Sequence, residues 1–302
     1  MRRDRRHGRR EIRRDKARDV VRIVSSQHDS PRGRWTYSEW RPSELAGLVE
    51  LIWETRGTTT EPQDRHYPHG MFELLVNLMG NRYRLLQPRG AGTFTTTWLV
   101  GQQLGPIVTA PPDRHHVLGI RLRPAGAYAL LAAPLGVVTG LVVELEDLVG
   151  PTVRELVERC RDAPSVAARF GLAAAWLAAQ LTAARAIDPA IAWAAAEIEA
   201  REGRVAIAEL RRETGLSKTR LAAAFREQIG VTPKVYARLV RFRLALAMLE
   251  SGIGPLADVA LAAGYYDQPH FNAEFRDLTG QSPRELLVAR YPSGVPIVRT
   301  DE

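Results

Sequence analysis

Cysteine is nearly missing from this chain of 302 residues, where Cys160 stands alone. A single thiol excludes an intramolecular disulfide framework and a cysteine-built zinc site, and it fits a reducing compartment. Long apolar runs are missing too. The longest, Leu135 to Val143 and Gly171 to Leu181, are short or Ala-rich with Gln180 inside. They fall below the roughly 20 apolar residues of a helical span, so no membrane partner is expected. The Arg-rich start is not followed by a secretory apolar core, because Val20 to Val24 is short and contains Arg22. A cytoplasmic location is expected. No Gly-rich phosphate loop, nucleophile elbow or metalloprotease helix motif occurs, and no paired catalytic carboxylates stand out. Accordingly no catalytic residue, cofactor or metal is assigned, and the chain is not expected to be an enzyme.

Apolar residues make up 45% and charged residues 25%, an ordinary globular balance, and the length suggests two domains. The net charge of +8 is unevenly placed. Residues 1–22 hold eleven basic and four acidic side chains, so most of the excess lies in that arm. Residues 203–291 hold thirteen basic and nine acidic side chains, which makes the C-terminal part the basic domain.

The patterning predicts an α+β chain in five parts. Residues 1–30 read as a solvated Arg-rich arm that is too charged to bury a core. Residues 31–150 read as a β-rich sandwich or barrel, with strand-like runs at Glu73 to Met79, Trp98 to Val100 and His116 to Leu122. A more helical stretch follows at Ala125 to Ala133. Residues 151–202 read as a connector of Ala-rich helices, Thr152 to Arg161, Val166 to about Ala186 and Pro189 to about Glu202. Trp176, Leu177, Leu181, Trp193 and Ile198 give these helices apolar faces for the β domain or a second subunit. Residues 203–291 form an all-α domain, and 292–302 a tail.

The C-terminal part is duplicated. Phe225-Arg226-Glu227-Gln228-Ile229-Gly230-Val231-Thr232-Pro233 matches Phe275-Arg276-Asp277-Leu278-Thr279-Gly280-Gln281-Ser282-Pro283 at an offset of fifty residues. Upstream, Ile207 to Leu210 matches Leu256 to Val259, and Gly215 matches Gly264. Each copy reads as helix, tight turn, helix. Gly215 and Gly264 end the first helix in a left-handed residue. Ser217 and Asp267 cap the second, and Thr232-Pro233 and Ser282-Pro283 restart the chain as cap plus N1 proline. This is helix-turn-helix geometry, in which the second helix enters the major groove of double-stranded DNA.

Spacing assigns the faces. Leu221, Phe225 and Ile229 point to the core, as do Phe271, Phe275 and Leu278. Outward lie Thr219, Ala222, Ala223 and Arg226 in the first copy, and Pro269, Asn272, Ala273 and Arg276 in the second, with Gln268 and His270 near the helix start. Thr219, Gln268, His270 and Asn272 are the base-readout candidates, because Gln and Asn can bond adenine bidentately. Ser217, Lys218, Arg226, Arg238, Arg241, Arg243 and Arg276 are the phosphate-contact candidates. One helix from Pro233 to Glu250 is expected to hold the heads about one DNA turn, roughly 34 Å, apart.

These residues, above all Gly264-Tyr265-Tyr266-Asp267-Gln268-Pro269-His270-Phe271 through Gly280-Gln281-Ser282-Pro283, resemble the C-terminal domain of AraC/XylS-family regulators. The resemblance implies a sequence-specific DNA-binding transcription regulator that acts on promoter DNA and answers to an effector. RNA polymerase and a second copy of the chain are further candidate partners. In two places the chain departs from the family pattern. Arg211 stands at a tight packing position where the second copy has Ala260, and Ala222 and Ala223 stand where long polar readers often occur. Both shift readout toward the second copy.

Tyr37 to Leu45 and Leu118 to Gly126 look like the cupin-like sensor half of one branch of that family, which implies effector binding or self-association with no particular ligand. A rival constellation, His66, His69, Glu73, His115 and His116, imitates a metal-binding cupin and would make the chain a metal-dependent enzyme with an appended helical DNA-binding domain. The odd spacing of His66 and His69, with Pro68 and Gly70 between and beside them, favours turn histidines instead.

Overall fold

The computed structural model describes residues 22–87, 92–131, 133–181, 185–251 and 255–289. Its first half has eleven strands: β1 (Val24–Ser30), β2 (Gly33–Trp40), β3 (Val49–Thr59), β4 (Asp64–His66), β5 (Phe72–Asn77), β6 (Tyr83–Gln87), β7 (Thr93–Phe94), β8 (Thr97–Val100), β9 (Ile107–Ala110), β10 (Arg114–Leu122) and β11 (Val142–Glu144). They form a seven-stranded sheet in the order β1-β2-β3-β10-β5-β8-β11 and a four-stranded sheet in the order β4-β9-β6-β7. Every pairing is antiparallel. Among the described residues the α-helices are α1 (Pro124–Leu130), α2 (Glu146–Val149), α3 (Thr152–Asp162), α4 (Val166–Gln180), α5 (Pro189–Ala200), α6 (Ile207–Thr214), α7 (Lys218–Gln228), α8 (Pro233–Glu250), α9 (Leu256–Ala262), α10 (Gln268–Thr279) and α11 (Pro283–Ala289). Among the described residues no helix is long and apolar enough to cross a membrane.

Strand alternation makes the large sheet two-sided. Ile52, Phe72, Leu74, Leu118 and Ile120 point to one face, where they pack on Leu156, Phe170 and Leu177 of α3 and α4. Their neighbours Trp53, Leu75, Trp98 and Val117 line a cavity on the other face, closed by the smaller sheet. Gly119 makes room there, since a Cβ at that position would stand 2.2 Å from Cε2 of Trp53.

The polar residues of the helix-side face are paired. Arg169 of α4 donates from Nε and Nη2 to both Glu54 carboxylate oxygens, at 2.5 and 2.8 Å, and His116 meets Glu54 at 3.0 Å. Burial raises the Glu54 carboxyl, but the hydrogen bonds of His116 and Arg169 and their charge outweigh it and leave it below its ordinary range.

Two expectations are corrected here. The solvated arm expected over 1–30 cannot include Val24–Ser30, which is strand β1, paired along its whole length with β2. A polar strand needs no apolar face when a neighbour supplies its backbone hydrogen bonds, and His28 further stacks on Trp35 with centroids 3.8 Å apart. The rest of the expected arm, up to residue 21, and the tail over 292–302 lie outside the described residues. The connector expected over 151–202 is not one unit. α3 and α4 complete the β-domain core, α4 ending at Gln180 rather than near Ala186, whereas α5 joins the C-terminal core through Ile191, Ala194 and Ile198.

Arg169→Leu strands the Glu54 charge in the core and should cost about 3–5 kcal/mol in denaturant unfolding, while Glu54→Leu combined with Arg169→Leu costs less. A pH effect follows from His69, which burial, helped by the charge of Arg121 and opposed by that of Glu73, pushes down to about 3. Between its ordinary value of about 6.5 and that point the unfolded chain binds a proton that the folded chain refuses. This contribution to stability is complete above the ordinary value and declines as the pH falls. Denaturation midpoints of His69→Gln between pH 7 and 4 should fall less steeply than those of the parent.

Candidate nucleic-acid interface

The duplication is built twice in three dimensions. In the first unit α6 ends at Gly215, left-handed at φ 68°, and the Ser217 hydroxyl accepts from Arg220 N to open α7. In the second, α9 leads through Gly264 to Asp267, whose carboxylate accepts from His270 N at 2.7 Å to open α10. Thr232 then caps α8, accepting from Val235 N. Ser282 and Glu285 cap α11 reciprocally, Glu285 N donating to Ser282 Oγ at 3.3 Å and Ser282 N to Glu285 Oε2 at 2.6 Å. Each unit has its own core. Leu210, Leu221, Phe225 and Ile229 pack with Tyr236 and Val240 in the first. Val259, Phe271, Phe275 and Leu278 pack with Phe242 and Leu246 in the second. α8 therefore supplies part of both cores. Its 18 residues span about 27 Å at about 1.5 Å each.

Most of the expected contact residues do stand on the open faces of the recognition helices. Ser217, Lys218, Thr219, Arg226, His270 and Arg276 are exposed, and Gln268 and Asn272 are half-buried beside them. The Asn272 Oδ1 has no hydrogen-bond partner among the described residues. Arg211 is exposed whereas Ala260 is fully buried, so the packing position filled in the second unit is left open in the first.

Three of the expected phosphate contacts are corrected. Arg238 pairs with Asp277 and reaches Glu274 at 3.5 Å. Arg241 donates to Gly203 O at 2.9 Å and stands 5.7 Å from the Tyr265 ring centroid, beside Glu274. Arg243 pairs with Glu199 and donates to His69 O at 3.2 Å. These three guanidinium groups are half-buried and already engaged within the protein, because α8 is packed on most of its sides and carboxylates of neighbouring helices stand within their reach.

Other cations stand where these do not. Arg220 is exposed on the first turn of α7, in register with His270 of α10. Lys234 and Arg284, each following the N1 proline of its helix, are exposed at the duplicated starts of α8 and α11. The fifty-residue offset itself carries this signal, because it aligns Lys234 with Arg284 as surely as Pro233 with Pro283. Helix N-termini with a nearby cation suit phosphate oxygens.

Of the rival metal constellation, His66, His69, Glu73 and His115 line the cavity, but His116 faces the opposite side of the sheet with Glu54. Adjacent residues of β10 cannot share a face, so the five do not converge. Among the described residues no group of three or more His, Cys, Asp or Glu is placed to hold a metal ion.

Comparison with known proteins agrees with this geometry. Residues 210–288 match a helix-turn-helix domain family, and residues 39–144 match a domain family of unknown function, DUF6597. The chain is 34% identical over 80 residues to a probable transcriptional regulator, LumQ, of Photobacterium leiognathi, covering 26% of this chain and 32% of that one. It is 31% identical over 96 residues to a putative AraC-like transcription regulator of Streptomyces antibioticus, covering 32% of this chain and 28% of the relative. It thus spans about a third of the length of these relatives. A solved structure of a probable AraC family transcriptional regulator from Rhodopseudomonas palustris is 30% identical, with a TM-score of 0.31, over 34% of this chain and 97% of that one. Residues 210–288 are a helix-turn-helix domain of the AraC type, joined to a β-rich domain whose residues 39–144 match the DUF6597 family model.

Proposed function

We propose that this chain is a sequence-specific transcription regulator that works on promoter DNA in the cytoplasm, catalyses no reaction, and answers to a small-molecule effector held by its β domain. The observation that carries this reading is the repeated unit. Two recognition helices, each opened by a side-chain cap and closed by a glycine, expose polar and cationic residues while sharing one rigid helix as their core. α8, about 27 Å long, carries α7 on Tyr236 and Val240 and α10 on Phe242 and Leu246, and this shared support is what would set the two heads toward successive major-groove entries roughly 34 Å apart.

The two heads divide the work. In α10, Gln268 and Asn272 offer amides to base edges. In α7 the matching positions are Lys218 and Ala222, suited to phosphate attraction and to contact with a thymine methyl. The exposed Arg226 and Arg276 stand at equivalent places and serve the backbone, joined by Arg220, Lys234 and Arg284.

A binding selection on random duplexes tests the assignment. Gln268→Ala should relax preference at one base and cost about 1–3 kcal/mol on the preferred site, and an unchanged sequence profile would remove Gln268 from base readout. Arg276→Ala should instead weaken preferred and random duplexes alike and lower the slope of log K against log salt by about one. Loss restricted to the preferred site would make Arg276 a base reader.

A further inference from the structure

The β domain encloses a cavity of about 130 Å³ between its two sheets. Its walls are aromatic. Trp53 and Trp98 enter from the large sheet, Tyr83 and Phe94 from the small one, with ring centroids of Tyr83 and Phe94 at 5.3 and 5.7 Å from that of Trp98. The Trp53 Nε1 is buried and has no hydrogen-bond partner among the described residues. The polar lining is a short cluster: His115 meets Thr55 at 3.3 Å, and His66 meets Thr109 and Asp64, each at 3.5 Å. Burial holds His115 below its ordinary value and therefore neutral, as it does His69. Two carboxylates also line the space. Glu73 is matched by Arg121 at 2.6 Å, while buried Asp64 has only His66 as an ion-pair partner among the described residues. Among the described residues the sole Lys or Arg of the lining, Arg84, is exposed.

The wall nearest the DNA-binding half is the segment from Tyr67 to Met71, between β4 and β5. Tyr67 lines the cavity and is also a member of the hydrophobic core of the second helix-turn-helix unit, with its hydroxyl donating to Gln281 Oε1 at 3.0 Å. Gly70, at φ 76°, lies against α8, where a Cβ would stand 3.6 Å from Cβ of Leu239. The carbonyl of His69 accepts from Arg243 of α8. One five-residue strap thus has the cavity on one side and α8 with the second unit on the other.

We propose that this cavity takes a neutral or cationic aromatic compound bearing a hydrogen-bond donor, discriminates against carboxylates, and signals occupancy to the second helix-turn-helix unit through the Tyr67–Met71 strap. The aromatic walls favour a flat π system and a cation over its face. The cluster of Asp64, His66 and His115 offers acceptors to a donor. A ligand carboxylate would be desolvated beside Asp64, with no buried cation left free to meet it among the described residues. The inference rests on the DNA-binding reading above for its second half only.

The test uses the full chain, titrated by calorimetry and tryptophan fluorescence with indole, tryptamine and indole-3-acetate. Indole or tryptamine should saturate one site per chain, with indole-3-acetate weaker by about tenfold or more. Leu75→Trp, or the milder Leu75→Phe if the first does not fold, should fill the space and abolish binding. The bound amine should change affinity for the selected duplex by about fivefold or more. Gln281→Ala, outside the cavity, should bind the amine normally and lose most of that change. Equal affinity for the acetate, or no saturable binding of any probe by protein that still binds DNA, overturns the ligand assignment. A full response in Gln281→Ala overturns the strap. Saturable probe binding without affinity for any duplex would instead overturn the DNA-binding reading and leave the ligand site standing.

Discussion

Burial of α8 is the constraint on which the C-terminal half depends. Tyr236 and Val240 serve the core of the first unit, Leu239, Phe242 and Leu246 that of the second, and Glu199 of α5 binds both Tyr236 and Arg243. A helix apolar on several sides fixes whatever packs on it. The two recognition helices therefore cannot rotate independently without opening a shared core, and a cavity the size of a lost side chain there costs several kcal/mol. The same burial accounts for the three arginines of α8. A guanidinium half-buried along such a helix has carboxylates of the protein within reach, as Arg238 has Asp277 and Arg243 has Glu199.

The β domain grips this rigid pair at homologous points. Gly230 and Gly280 close the two recognition helices, and both turns meet the β domain. Thr139 donates to Gly230 O at 2.7 Å, while Tyr67 reaches Gln281 immediately after Gly280. At the first contact a Cβ on Gly230 would lie 3.0 Å from Gln102 Oε1, so the approach is backbone to side chain with little slack. Tyr128 adds a bond to Glu227 at 3.4 Å, with Arg185 stacked over its ring. Because the grip is on the ends of α7 and α10, their first turns remain open, and those turns carry the caps and the polar residues.

Local signals made the C-terminal domain legible in the sequence. Caps, left-handed glycines and N1 prolines are decided within a few residues, and the fifty-residue repeat displayed each of them twice. Signals that depend on distant partners were not legible. β1 looks like a charged arm because its stability comes from β2, and nothing in Val24–Ser30 alone announces that neighbour. Short strands such as β4 and β9 lack enough residues for a period. The face of Arg241 depends on Gly203 and Glu274, far away in sequence, so a charge count along α8 marks it as a DNA contact when its partners are internal. The cavity was hidden for the same reason. Its aromatic walls are spread over strands whose order in the sheets differs from their order in the chain.

The asymmetry between the heads is physical as well as compositional. At matched positions, Ala222 meets Asn272 and Lys218 meets Gln268. An alanine can touch a methyl group but makes no hydrogen bond, so exchanging one base for another beneath it changes little, whereas an amide left facing the wrong edge loses its partners. The head with the amides is also the one whose core takes in Tyr67 from the cavity wall. Under the proposed assignment, the head that would discriminate among sequences is thus the one the cavity wall touches, and the other head is held through Thr139 and Tyr128, neither of which lines the cavity. A signal delivered through Tyr67 would act on sequence preference first, with the first unit remaining as the fixed point from which the second is moved.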